Sequence, residues 1–132
     1  MKEQILLFHF EDTQRLSAVR KAMLPLHLPC HVVAEEDWEK QLGALVGLEC
    51  APADEDAPDI TDLTEEMLVL CGLGGNAIQA AVTALRKAGV YIPYKASLTS
   101  FNKDWTAPQL FGELCREHAA MQEMRKAQQK GE

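Results

Sequence analysis

Apolar residues along this chain alternate between short solid runs and helically spaced stripes. Ile5 to Phe10 is nearly continuous, the pattern expected of a strand covered on both faces of a mostly parallel sheet. A helix is expected next. Asp12 or Thr13 supplies its cap, Leu16, Val19, Met23 and Leu24 its apolar stripe, and Pro25 its end. A short strand around Cys30 to Ala34 follows, and Asp37 then opens a second helix carrying Trp38, Leu42, Leu45 and Val46. Beyond residue 66 the same order returns. Met67 to Leu73 has the character of a buried strand, and Ile78, Ala81, Val82 and Leu85 share one face of a helix closed by Gly89. A strand at Tyr94 to Thr99 and a long final helix complete the series.

The halves can be overlaid, with Leu6, Leu7 and Phe8 on Leu68, Val69 and Leu70, and Leu16 and Met23 on Ile78 and Leu85. Asp37-Trp38 then meets Asp104-Trp105, while Gln41-Leu42 resembles Gln109-Leu110, with Gly43 and Gly112 just beyond. The expected fold class is α/β: a small, four-stranded, mostly parallel sheet with flanking helices, built from two β-α-β-α repeats. One compact domain is expected, with a first repeat at 1–48, an acidic linker at 49–66 and a second repeat at 67–132.

Charge sharpens the picture of the linker. The chain of 132 residues has a net charge of −7; residues 1–65 hold 5 basic and 14 acidic side chains, and residues 66–132 hold 8 and 6. Residues 49–66 contain eight carboxylates, no Lys or Arg, and Pro52 and Pro58, which reads as a solvated tether. An acidic chain repels phosphate backbones, so nucleic acid is not the expected partner. The longest apolar runs fall short of a membrane span and no signal peptide opens the sequence, so a cytoplasmic location is expected. Cys30, Cys50, Cys71 and Cys115 are widely spaced and are expected as reduced thiols.

From Leu85 the residues read Leu-Arg-Lys-Ala-Gly-Val, then Lys95-x3-Thr99-x2-Asn102-x2-Trp105, then Leu110, Glu113, Leu114 and Glu117. Over roughly residues 67–118 this resembles the bacterial family described as domain of unknown function 3783. The resemblance implies a small bacterial cytosolic protein and brings no known activity, ligand or catalytic residue. In physical terms, alternation puts Lys95, Ser97 and Thr99 on one strand face and Tyr94, Ala96 and Leu98 on the other. Asn102 suits a turn, Thr106 and Gln109 form a capping box, and Trp105 staples onto Leu110.

Three other constellations invite chemistry. Gly72, Gly74, Gly75 and Asn76 lie between a strand and a helix, where backbone amides can cradle phosphate, although no acidic residue stands where a dinucleotide ribose needs one. Cys71 and His9 fall together in the overlay, making them the candidate nucleophile and base of a small enzyme. His27, Cys30 and His31 lie close along the chain, but a metal needs three or four ligands and no second cluster is evident, so neither metal nor cofactor is expected. The stripe of Leu110, Phe111, Leu114, Cys115, His118, Met121 and Met124 suggests core packing that fades towards the end, leaving the last turns for a second copy or a protein partner. The leading expectation is a non-catalytic module that binds a partner or a small anion through Lys95, Thr99, Asn102 and Trp105; the alternative is the Cys71–His9 enzyme with a glycine-rich oxyanion or phosphate turn.

Overall fold

The computed structural model describes residues 2–52 and 57–130, with side chains through residue 126. Four strands form one sheet: β1 (Gln4–Phe8), β2 (Cys30–Val32), β3 (Met67–Cys71) and β4 (Tyr94–Ser97). Their spatial order is β2-β1-β3-β4. β1–β2 and β3–β4 are parallel, as expected of strands joined by helical crossovers, but the central β1–β3 pair is antiparallel, with Gln4 opposite Cys71 and Phe8 opposite Met67. The sheet is thus mixed α/β and mostly parallel, with one reversal at its centre.

Helices cover both faces, which is why the two central strands read as solid apolar runs. On one face α1 (Thr13–Met23) and α3 (Gly75–Lys87) pack Val19, Met23, Ala81 and Leu85 onto Ile5, Leu7, Leu68 and Leu70. On the other, α2 (Leu42–Leu45) and the first half of α4 (Ala107–Lys130) pack Leu42, Ala107, Leu110, Phe111 and Leu114 onto Leu6, Phe8, Met67, Val69 and Cys71. The crossovers β1-α1-β2 and β3-α3-β4 run outward to opposite edges of the sheet, so with right-handed crossovers α1 and α3 share a face only where β1 and β3 run in opposite directions.

The strand overlay read from sequence does not match the faces of the sheet. Leu6 and Leu68, aligned from sequence, lie on opposite faces; Ile5 and Leu68 share a face, as do Phe8 and Cys71. Strand side chains alternate with period two, so a slip of one reverses every side chain, and solid apolar runs give no polar position to reveal it. The expected second helix from Asp37 is also much shorter. A 3-10 turn at Glu35–Asp37 precedes Trp38, whose indole N–H bonds the Val33 carbonyl at 3.2 Å, and only Leu42–Leu45 forms α2.

Local signals set most element ends. The Asp12 carboxylate accepts the Gln14 and Arg15 N–H groups and starts α1. Gly89, at φ +74°, ends α3: its own N–H bonds the Arg86 carbonyl and the Val90 N–H reaches back to Leu85. At the start of α4 the Thr106 N–H donates to Gln109 Oε1 at 2.8 Å, the capping-box bond expected there. The acidic stretch is tied down at its C-terminal end. The Thr61 N–H bonds the Pro108 carbonyl, Leu63 enters the α4-side core, and Glu66 pairs with Arg15 on α1 at 2.6 Å.

Candidate anion-binding site

The residues proposed for nucleophilic chemistry do not meet. Because β1 and β3 run in opposite directions, His9 leaves one end of the sheet and Cys71 the other, separated by roughly 15 Å of strand at about 3.3 Å per residue. Cys71 has no solvent exposure, its thiol lies 3.8 Å from the Val69 carbonyl, and burial pushes its pKa up to about 12. His9 sits at φ +63° and stacks on Trp38, ring centroids 5.6 Å apart. Gly72, which follows β3, has a similar backbone conformation at φ +76°. His9 and Gly72 each follow a strand in a left-handed turn, and His9 and Cys71 stand at opposite ends of the sheet.

The glycine-rich turn is open. Gly74 caps α3 without a side-chain bond, and Gly74, Gly75 and Asn76 are exposed. A Cβ added at Gly74 or Gly75 would meet nothing within 4 Å, so neither glycine is there to admit a close neighbour, whereas Gly72 supplies a left-handed turn. At the same end of the sheet, on the far side of β1, Cys30 is half buried, its thiol pKa raised by burial. Among the described residues no three His, Cys, Asp or Glu side chains cluster to hold a metal ion.

The Lys95-Thr99-Asn102-Trp105 motif divides into two parts. Asn102, only 7% exposed, accepts the Thr99 N–H at 2.8 Å through Oδ1 and donates to the Ser97 carbonyl at 2.9 Å through Nδ2. Thr99 Oγ1 in turn accepts the N–H groups of Phe101 and Asn102. These bonds form a closed lock between β4 and the 3-10 turn Asn102–Asp104. Trp105 packs on the α4-side core, and its carbonyl accepts the Leu42 N–H at 2.8 Å, joining the two halves. Thr99, Asn102 and Trp105 therefore hold the chain path, and the structure does not gather them with Lys95 into one ligand-facing surface.

Lys95 instead stands at the outer edge of β4 between two cavities. The first, about 290 Å³, is lined by Val82, Leu85, Arg86, Gly89, Val90, Tyr91 and Lys95. The second, about 340 Å³, is lined by Tyr91, Pro93, Lys95, His118, Met121, Gln122 and Arg125. Tyr91 and Lys95 belong to both, with the ammonium 5.6 Å from the centre of the Tyr91 ring and bonded to the Ile92 carbonyl. Burial, and then the nearby Arg86 charge, lower the Lys95 pKa. Arg15 braces the cleft from behind: its Nη2 donates to the Tyr91 carbonyl at 2.8 Å and pairs with Glu66 at 2.6 Å, and its Nε donates to both Glu66 oxygens. His118 bonds the Pro93 carbonyl at 2.9 Å and stacks near Tyr94, which fixes α4 beside the cleft.

Sequence reasoning reached Lys95 but not Arg86, Tyr91, His118 or Arg125 as its company. One signal was available: in an acidic chain, residues 67–103 contain no Asp or Glu at all. That acid-free stretch includes α3, β4 and the loop between them, which form most of the cleft.

No curated protein and no solved structure matches this chain. The structure also contains, among the described residues, no helix long and apolar enough to cross a membrane. Residues 66–121, comprising β3, α3, β4 and the buried part of α4, match the family model Domain of unknown function (DUF3783), and it is this family that the second half of the chain resembles.

Proposed function

We propose that this protein is a non-catalytic module that binds a small anion in the cleft at the outer edge of β4, with Lys95 as the anchoring charge. One observation carries the reading: Arg86, Lys95 and Arg125 line two adjoining cavities whose walls, among the described residues, contain no carboxylate, in a chain with 20 acidic residues and a net charge of −7. An unneutralised concentration of cations around a concave surface favours anions, and two guanidinium groups offer forked donors suited to carboxylate or phosphate oxygens. The buried, high-pKa Cys71 thiol and its separation from His9 favour this reading over the enzyme alternative.

Titration of the full chain with inorganic phosphate, followed by backbone amide shifts, tests the reading. Shifts are expected to concentrate at residues 86–95 and 118–125, and Lys95→Gln is expected to weaken the interaction about tenfold, the loss of one charge-assisted hydrogen bond. Lys87→Gln removes the same charge from an exposed side chain that lines neither cavity. If both substitutions weaken binding equally, or if shifts spread evenly over the surface, the cleft is not an anion site.

A further inference from the structure

The two cavities that meet at Lys95 differ in character. On the α3 side, the cavity is walled by Val82, Leu85 and Val90, of which Leu85 and Val90 are buried in the sheet-facing core. Gly89 forms part of the wall, and a Cβ there would meet nothing within 4 Å, so the residue that ends α3 also leaves space open. On the α4 side, the wall is polar: His118, Gln122 and Arg125 join Lys95. A ligand using only a charged head would leave the apolar surface of Val82, Leu85 and Val90 uncovered; Arg86, Lys95 and the Tyr91 hydroxyl supply the polar side-chain groups at its margin.

We infer that the anion is amphiphilic: a carboxylate whose head lies against Lys95 and Arg125 and whose short aliphatic chain occupies the Val82–Leu85–Val90 chamber. The inference rests on the anion reading above and specifies its ligand class. A chain of about seven methylenes, each taken as close to the ~30 Å³ share of a water molecule, needs roughly 200 Å³, which the 290 Å³ chamber holds. Tyr91 forms the lip between head and tail, with a ring that accepts apolar contact on one side and the Lys95 ammonium on the other. The size and the hydrocarbon lining argue against a nucleotide, whose sugar and base need several polar partners along the wall.

The test compares acetate, butyrate and octanoate on the full chain, each below its aggregation limit, by amide shifts and calorimetry, with Lys95→Gln and Val82→Gln as variants. Each fully buried methylene is worth about fourfold in affinity, so half-burial of the four added between butyrate and octanoate gives on the order of tenfold. Octanoate is expected to bind at least tenfold more tightly than butyrate, and Val82→Gln, on a half-buried helix position, is expected to erase that gain while leaving acetate binding unchanged. Equal affinities for butyrate and octanoate overturn the inference but leave the anion site standing. A gain that survives Val82→Gln places the chain elsewhere and also overturns it. Absence of binding by every carboxylate and by phosphate removes the anion reading itself. Thermal unfolding of both variants within about 2 °C of the parent shows that any loss is local.

Discussion

Asn102→Ala separates a structural from a ligand-binding role for the most specific motif in the chain. The substitution removes two hydrogen bonds, one accepted from Thr99 N–H at 2.8 Å and one donated to the Ser97 carbonyl at 2.9 Å, from a side chain 7% exposed. Each is worth about 1 kcal/mol net, and the half-buried Ser97 carbonyl is left short of a partner, so a loss of about 2 kcal/mol is expected. The hydroxyl bonds that Thr99 makes to Phe101 and Asn102 also lose their fixed geometry, because the same turn positions them. Urea unfolding followed by the fluorescence of Trp38 and Trp105 should show a midpoint about 1 M lower with an unchanged slope. Asn102→Asp is a sharper probe: it keeps the acceptor for Thr99 but turns a carboxylate oxygen towards the Ser97 carbonyl, and it should destabilise at least as much at neutral pH. Phosphate binding by the folded variants should be unaltered. A variant with parental stability that no longer binds the anion would refute the assignment of Asn102 to the turn.

Other substitutions probe the remaining contacts. Gly112→Ala puts a Cβ 2.6 Å from Thr61 Oγ1 and 3.1 Å from the Asp59 carbonyl, so residues 59–61 should be displaced from α4 at a cost of about 1–3 kcal/mol, visible as loss of amide protection at Thr61. Arg15→Ala breaks the pair with Glu66 and frees the Tyr91 carbonyl; a loss of about 1 kcal/mol is expected, together with weaker octanoate binding through a looser lip. Cys71 should be the last thiol to react with iodoacetamide, and labelling confined to Cys71 at neutral pH would contradict its burial. Since its pKa rises from an ordinary 9.0 to about 12 on folding, the unfolded chain loses this proton first; the thiol's contribution is complete below pH 9 and is lost between about 9 and 12. Cys71→Ala should flatten that part of the stability profile.

The parts of the fold legible in the sequence were those dictated by local chemistry. Solid apolar runs marked β1 and β3, Asp12 marked the start of α1, Gly89 the end of α3, and Thr106 with Gln109 the start of α4. The direction of β1 against β3 was not legible, because a strand apolar on both faces carries no mark of polarity and its partner lies beyond a long connection. That ambiguity, together with the one-residue slip in the overlay, produced the Cys71–His9 pairing. The Trp38 region resisted for a different reason: an apolar spacing that suits a helix is instead met by a 3-10 turn and one helical turn, fixed by contacts such as Leu42 N–H to the Trp105 carbonyl. For the site, Lys95 was visible, but its cationic company comes from separate elements, and only the acid-free stretch of 67–103 hinted at it.

The reversed central ladder also imposes an order of events on the ribosome. β1 and β2 are complete once about residue 32 has emerged, yet the other edge of β1 must wait for Met67–Cys71. At roughly 5–20 residues per second, β1 spends several seconds with one row of backbone donors and acceptors unpaired beneath a fully apolar run. Two nascent chains on one message present identical open edges, so β1 is the strand most exposed to exchange between neighbours.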